Sequence, residues 1–176
     1  SGPSGLAVAD MLNQRGHHVV VYERDDRPGG LLMYGIPNMK LDKEVILRRI
    51  RKMEEEGICF ECHTDIGKTI SGEKLISEYD AVVLCCGARQ PRTVVGTDPA
   101  VPGVLSAVQY LSASTKAVVF GEENTCSAEN KNVIVIGNGD TATDCVATAV
   151  RQKARTVTQL VRKPKAEGGQ RLWPYR

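Results

Sequence analysis

The chain has 176 residues, 41% of them hydrophobic and 25% charged, which is typical of a globular protein with one ordinary domain or two small ones. No apolar run reaches the roughly 18 residues of a membrane span, and no signal segment opens the sequence. The net charge is only +2, but nine Lys and Arg against three acids follow from Lys131 onward. This basic surplus suits a small polyanion, and it is too modest to indicate nucleic-acid binding.

The chain begins with a predicted helix and strand. "GLAVADMLNQRG" has apolar residues at helical spacing and ends at Gly16, and "HHVVVYE" is a β-branched run ending in Glu23. Such a run is typical of a buried parallel strand. The strand that should precede this helix would lie before Ser1, so we expect the chain to be a fragment.

The next region is predicted to alternate helices and strands. After the turn-rich "DRPGGLLMYGIPNMKLD", Asp42 caps a helix that buries Val45, Ile46, Ile50 and Met53 and ends at Gly57. "ICFECH" is strand-like, "GEKLISEY" predicts a short helix, and "DAVVLCCG" predicts a strongly buried strand. These elements predict an α/β fold with a parallel sheet.

Residues 88–130 are mixed, with one predicted helix near "VLSAVQYLSAS". Pro91, Pro99 and Pro102 indicate a crossover between domains. The opening pattern then recurs in full, because "KNVIVIGNGDTATDCVATAVRQKARTVTQLVRK" predicts strand, glycine turn, helix and strand. Two separate nucleotide-binding folds explain the two copies better than a solenoid repeat does.

The second copy carries a complete dinucleotide-binding motif. Gly137, Gly139 and Ala142 occupy the G-x-G-x-x-G/A positions between the predicted strand and helix. The first glycine allows a tight turn, the second lets the backbone approach a pyrophosphate, and the small third residue lets helix and strand pack closely. The alternative is a tight turn without a ligand.

The strand after that helix bears on the choice of nicotinamide cofactor. It ends in "TQLVRKPK", where Arg162, Lys163 and Lys165 stand without an acid. A cation at this place accommodates a 2′-phosphate, so the sequence favours NADPH over NADH. The alternative is a solvated strand edge.

The first copy keeps only part of the motif. Gly2 and Gly5 match its second and third positions, and Glu23 lies 21 residues after Gly2, where a ribose-binding acid belongs. An acid there suits the adenosine of FAD or NAD.

The stretches "SGPSGLA", "VVVYERDDRPGGLLMYGIPNMKLDKEV", "YDAVVLCCGARQPR" and "VIVIGNGDTATDC" resemble the FAD- and NADPH-binding part of the glutamate synthase small (beta) subunit family. Relatives such as dihydropyrimidine dehydrogenase share this block. The resemblance implies two incomplete Rossmann-like folds, with an NADPH domain inserted into an FAD domain. Hydride would pass from NADPH to FAD, and electrons would pass to 4Fe-4S clusters outside this chain and to a large-subunit amidotransferase partner that makes glutamate.

Domain bounds and site residues follow from this resemblance. We expect the FAD-binding domain at 1–95, a crossover at 96–130, and half of the NADPH-binding domain at 131–176. The candidate cofactor-binding residues are Gly2, Pro3, Ser4, Gly5, Glu23 and Arg24, then Gly30 and Leu31, then Gly87 and Ala88, and finally Gly137, Asn138, Gly139, Asp140, Thr141, Ala142, Arg162 and Lys163. Cys85 and Cys86 replace the usual Ala-Thr. No catalytic acid or base is predicted, because in hydride transfer the cofactors carry the chemistry.

The cysteines allow more than one interpretation. "CFECH" matches the c-type haem attachment pattern and also allows a redox pair or a metal site, while the simpler prediction is two strand thiols, one buried and one partly exposed. The six cysteines are expected to be free thiols in a reducing compartment, either the cytoplasm or an organelle.

Two competing hypotheses for the function stay open. The chain could come from a related flavoprotein that serves a different electron acceptor. It could also be a non-catalytic nucleotide-binding remnant.

Overall fold

The computed structural model describes residues 1–161 apart from residues 89, 92, 93, 95 and 99. The chain divides into two compact units, and the division falls between Cys126 and Ser127. The first unit contains α1 (Pro3–Asn13), β1 (Val20–Tyr22), α2 (Leu31–Tyr34), α3 (Lys43–Glu55), β2 (Cys59–Glu61), α4 (Gly72–Glu78) and α5 (Ala107–Phe120); the second contains β3 (Asn132–Ile136), α6 (Asp140–Arg151) and β4 (Thr156–Leu160). No helix of the described residues is long and apolar enough to cross a membrane.

The first core cluster joins α1 to the end of α3. Leu6 and Ala9 of α1 pack with Met53 of α3 and with Ile58, which follows that helix. The short strands β1 and β2 pair in parallel beside this cluster, with Val21 opposite Phe60. The predicted helix–strand opening and the parallel pairing are confirmed.

A second cluster packs α2 against α3. Met33 and Tyr34 lie with Ile46 and Ile50, and Phe120 from α5 packs against them. The helix α3 begins as predicted, because the Asp42 side chain accepts a hydrogen bond from the Glu44 N–H at 3.0 Å. The prediction that Val45 lies on the buried face of this helix is wrong, since its side chain is 45% exposed.

The predicted buried strand at "DAVVLCCG" is wrong. Residues 80–88 form no helix or strand, and Leu84 is 82% exposed. A fully buried parallel strand needs a neighbouring strand on at least one edge and layers on both faces. Within the described residues, the sheet of the first unit contains only β1 and β2. The backbone of residues 80–88 therefore has no strand to pair with there, although its side chains have the apolar pattern of a buried strand.

Two other elements differ from the sequence-based expectation. The short helix α2 forms within the stretch predicted as turns, and α5 extends to Phe120. The Ser106 side chain caps α5 by accepting a hydrogen bond from Gln109 N–H, and Gly121 ends it with φ of 71°. Glycine reaches this left-handed conformation at little cost, so the helix ends there.

The second unit contains the predicted strand–helix–strand arrangement. The strands β3 and β4 run parallel over five residue pairs, from Asn132 opposite Thr156 to Ile136 opposite Leu160. The helix α6 buries Ala142, Cys145 and Ala149. Together with the parallel pair of the first unit, this confirms the α/β class and an incomplete Rossmann-type fold.

Candidate functional site

The first candidate loop leads directly into α1. Gly2 is the N-cap residue of this helix, Pro3 occupies its first turn, and the carbonyl of Gly2 accepts a hydrogen bond from Leu6 N–H at 2.9 Å. Proline suits this position because its missing N–H would have no helical partner. A Cβ placed on Gly2 would meet nothing within 4 Å, so the chain itself leaves open the space beside this glycine. Pro3 and Ser4 are exposed.

The Gly29–Gly30 turn meets the first loop. A Cβ on Gly30 would lie 2.9 Å from the Cα of Gly2, and Gly30 has φ of 52°. The Gly29 N–H donates to the carbonyl and to the hydroxyl of Ser1 at 3.1 and 3.0 Å. The structure therefore brings together the two segments that the sequence assigned to the same cofactor.

Glu23 is the acid of this cluster, and only 4% of it is exposed. Its carboxylate accepts hydrogen bonds from the Ser1 hydroxyl and from the Asp25 N–H. Burial raises the pKa of Glu23, whereas the hydrogen bonds from the Asp25 N–H and the Ser1 hydroxyl lower it, and the pKa lies below its ordinary value. Glu23 is thus an ionised hydrogen-bond acceptor at neutral pH.

Other predicted residues of this half are exposed or pack against further segments. Arg24 is exposed, and Leu31, the first residue of α2, is 54% exposed. Gly5 packs against Cys85, since a Cβ on Gly5 would lie 3.5 Å from the Cys85 Cβ. Gly87 and Ala88 follow in the exposed segment without regular structure.

A charged and aromatic network lies beside the cluster, and no sequence motif indicates it. The Tyr34 hydroxyl donates to Asp26 at 2.7 Å and accepts from Arg27 at 3.0 Å. Arg27 also pairs with Asp26, and its guanidinium stacks on the Phe120 ring at 3.9 Å. Burial and the bond to Asp26 raise the pKa of Tyr34. Because Asp26 and Arg27 follow Glu23 closely, this network ties the acid's loop to α2 and α5.

The second candidate loop is a tight turn between β3 and α6. Gly137 has φ of 147°, and a Cβ placed on it would lie 3.2 Å from the Ala142 Cβ. Its N–H donates to the Leu160 carbonyl at 3.0 Å, and its carbonyl accepts from the Gln159 side chain at 2.9 Å. The first glycine and the small third residue thus serve the close packing that the motif requires.

Gly139 stands at the start of α6. It is the N-cap residue of that helix, and a Cβ placed on it would meet nothing within 4 Å. The neighbouring Asn138, Asp140 and Thr141 are exposed, and Asp140 adds an acid to the first helical turn. Arg162 and Lys163, the predicted 2′-phosphate contacts, lie outside the described residues.

The cysteines of "CFECH" are not arranged as expected. Cys59 is exposed and Cys62 is half-buried, so the prediction of one buried strand thiol is wrong. Burial, followed by the charges of Glu23, Asp26 and Glu54, raises the pKa of Cys62. All six cysteines are free, and no group of three or more metal-binding side chains occurs in the described part of the chain.

Comparison with protein families gives a match to the pyridine nucleotide-disulphide oxidoreductases over residues 1–170. Among curated proteins, the glutamate synthase (NADPH) small chain of Bacillus subtilis (strain 168) is 48% identical over 99% of this chain and 36% of its own length. The glutamate synthase (NADH) of Schizosaccharomyces pombe is 50% identical over 91% of this chain and 8% of its own length. The chain thus spans only part of each relative.

Among solved structures, FprA from Mycobacterium tuberculosis in complex with NADPH superposes with a TM-score of 0.75. That match covers 93% of this chain and 42% of the other at 21% sequence identity. The likeness supports a common fold.

Proposed function

The chain belongs to the pyridine nucleotide-disulphide oxidoreductase family, and from this premise we propose that it is the FAD- and NADPH-binding portion of a glutamate-synthase-type flavoprotein. The observation that carries the proposal is the convergence of Ser1–Gly2, Glu23 and Gly29–Gly30 in the first unit. Ser1–Gly2 is separated by 20 residues from Glu23, which shortly precedes Gly29–Gly30, and a dinucleotide site needs the chemistry of all three in one place.

The first loop fits the diphosphate of FAD. The open space at Gly2 lets a phosphate approach the backbone at the start of α1, where helical N–H groups and the helix dipole favour an anion. A side chain on Gly30 is excluded by Gly2 itself, so the two backbones are in direct contact and the open space lies beside Gly2. Pro3, Ser4 and Gly5 form the first turn of α1, and they are proposed to contact the diphosphate, with Arg24, Leu31, Gly87 and Ala88 bordering the site.

Glu23 fits the ribose of the same cofactor. An ionised carboxylate accepts hydrogen bonds from ribose hydroxyls and disfavours a 2′-phosphate in the same place. Its bonds to Ser1 and Asp25 hold it at the end of β1, beside the loop. The charge of Glu23 therefore supports assigning FAD, and not NADPH, to the first loop.

The second loop fits the diphosphate of NADPH. Gly139 leaves open space at the start of α6, as Gly2 does at α1. Asn138 completes the turn, and Asp140, Thr141 and Ala142 begin α6. Arg162 and Lys163 are proposed to contact the 2′-phosphate. The two relatives are named for NADPH and for NADH, so the preference for NADPH depends on those two basic residues.

The activity of the whole enzyme is proposed from its relatives. When bound, FAD supplies the group that accepts hydride from NADPH and releases electrons to iron–sulfur clusters. Residues of this chain hold the two diphosphates and one ribose; we assign none of them an acid or base role. The partner would be the large glutamate synthase subunit, or a domain of the same polypeptide, that makes glutamate from 2-oxoglutarate and glutamine. We propose that the exposed residues 81–84 pair with a further strand of the enzyme.

The test uses the native-length polypeptide that carries this chain. It should be purified yellow, its flavin spectrum should bleach with NADPH, and reconstitution with the large subunit should couple NADPH oxidation to glutamate formation. Gly2→Ala should lose FAD while keeping its fold, whereas Gly72→Ala, an equally open glycine at the start of α4, should behave as wild type. A colourless protein that still binds NADPH would point to a nucleotide-binding remnant and contradict the proposal.

A further inference from the structure

Lys43 is a buried lysine at the first position of α3, with 1% of its surface exposed. Its ammonium donates to two backbone carbonyls, those of Leu32 at 2.9 Å and Ile36 at 2.6 Å. Its own N–H donates to the Asn38 side chain at 3.0 Å. Both described acceptors of the ammonium are neutral groups.

This arrangement is unfavourable for α3 considered alone. Burial lowers the pKa of Lys43, and the nearby Asp42 raises it to a smaller extent. The positive end of the helix dipole also disfavours a cation in the first turn. A buried ammonium is tolerated only when hydrogen bonds replace water. Lys43 therefore stabilises the segment whose carbonyls accept those hydrogen bonds rather than α3 itself.

That segment runs from Gly29 to Ile36 and contains α2. The last carbonyls of a helix have no N–H partner within the helix. The Lys43 ammonium donates to one of them, the Leu32 carbonyl of α2, and also to the Ile36 carbonyl, which lies two residues after the helix. Near its other end, the segment contains Gly30, which packs against Gly2. One side chain of α3 thus fixes the far end of the segment whose near end forms the candidate FAD site.

We infer that Lys43 is a positioning residue for FAD binding. It acts by holding residues 29–36, so that the backbone of Gly30 stays against Gly2. The inference rests on the proposed FAD site and goes beyond it by assigning a role to a residue outside the dinucleotide motif.

Substitutions in the native-length polypeptide test this role. Lys43→Met should weaken FAD binding by about tenfold or more, because two partly buried carbonyls lose their donor, while NADPH affinity at the second loop is unchanged. Lys43→Arg keeps the charge and the N–H donors and should recover part of the FAD affinity. Lys52→Met is the matched control, since Lys52 lies on the same helix but is 61% exposed. A folded Lys43→Met protein with wild-type FAD affinity would overturn the inference.

Amide exchange of the wild-type protein tests the same role without a variant, should Lys43→Met fail to fold. FAD binding should slow exchange at Leu6, whose N–H bonds to Gly2, and also at Gly35 and Ile36, whose N–H groups bond to Leu31. Protection of Leu6 without protection of Gly35 and Ile36 would refute the inference. A wild-type protein that binds no FAD would instead refute the proposed function, and the inference with it.

Discussion

Gly30 and Gly2 approach each other so closely that neither a side chain nor a cofactor atom fits between their backbones. A Cβ on Gly30 would lie 2.9 Å from the Gly2 Cα and 3.3 Å from its nitrogen. The space beside Gly2 itself is open. Glycine is therefore required at position 30 by the fold, whereas the described fold leaves room for a Cβ at position 2.

Gly30→Ala should damage both stability and FAD binding. The substitution puts a side chain into the backbone of Gly2 at a residue with φ of 52°, which we expect to cost about 1–3 kcal/mol of unfolding free energy. Thermal unfolding and flavin fluorescence titration measure the two effects. Gly72→Ala serves as the control. A Gly30→Ala protein with wild-type stability would show that the two loops are farther apart than described.

The two glycines of the second loop should respond differently to alanine. Gly139→Ala should change the unfolding free energy by less than about 1 kcal/mol, as expected for an N-cap position, but should weaken NADPH binding, because its Cβ occupies open space that the diphosphate would need. Gly137→Ala should cost about 1–3 kcal/mol of stability, since φ is 147° and Ala142 lies close. Calorimetric NADPH titration and thermal unfolding distinguish the two substitutions. If Gly139→Ala and Gly137→Ala changed stability and NADPH affinity equally, the different roles assigned to the two glycines would be contradicted.

Glu23 should contribute stability that depends on pH. Its pKa in the folded protein lies below the ordinary value of 4.5. Between the lowered pKa and 4.5 the unfolded chain binds more protons than the folded one, so the unfolding free energy rises with pH. The contribution is complete above about pH 4.5 and is lost as the pH falls through the lowered pKa.

Glu23→Gln should remove that dependence. The measurement is denaturant unfolding from pH 3 to pH 7 (about the window in which carboxylates titrate), compared between wild type and variant. Glu61→Gln replaces an exposed carboxylate on the neighbouring strand β2 and is the control. If the unfolding free energy of Glu23→Gln falls toward low pH as steeply as that of the wild type, the result would argue against the bonds to Ser1 and Asp25.

Cys145 should be unreactive toward iodoacetamide near neutral pH. Burial, helped by the charge of Asp144, raises its pKa to about 11, so only about one thiol in a thousand is ionised at pH 8. Exposed Cys59 and Cys86 should react first, and Cys145 should react only after denaturation. Peptide mass spectrometry follows each site, and labelling of Cys145 at the rate of Cys59 would contradict the described burial.

The parts predicted correctly from sequence are those with a local physical cause. The Asp42 cap, the apolar spacing of Ile46, Ile50 and Met53, and the turn between β3 and α6 are all local patterns. The resemblance to glutamate synthase small subunits is confirmed by the 48% identity to the Bacillus subtilis protein.

The parts that failed depend on distant partners. "AVVLCC" has the apolar pattern of a buried strand, but pattern alone does not supply the neighbouring strand that such burial needs. No sequence pattern singles out Lys43, because lysine is expected to be exposed. Its carbonyl partners lie seven and eleven residues away, in a stretch whose glycines and proline predict turns instead of a helix. The Arg27–Phe120 contact joins residues 93 positions apart in sequence.

The exposed run Val82–Leu84 has a consequence for any copy of this chain handled in isolation. Three adjacent aliphatic side chains, 43%, 56% and 82% exposed, on backbone that pairs with no strand of the described residues are a template for intermolecular β-aggregation. A charged residue beside an apolar run opposes aggregation by repelling other copies of the run. Asp80 is the nearest such charge, and it flanks only the N-terminal side of Val82–Leu84. Low expression yield or inclusion bodies from such a copy would then reflect aggregation through this run, not a defect in either nucleotide-binding loop.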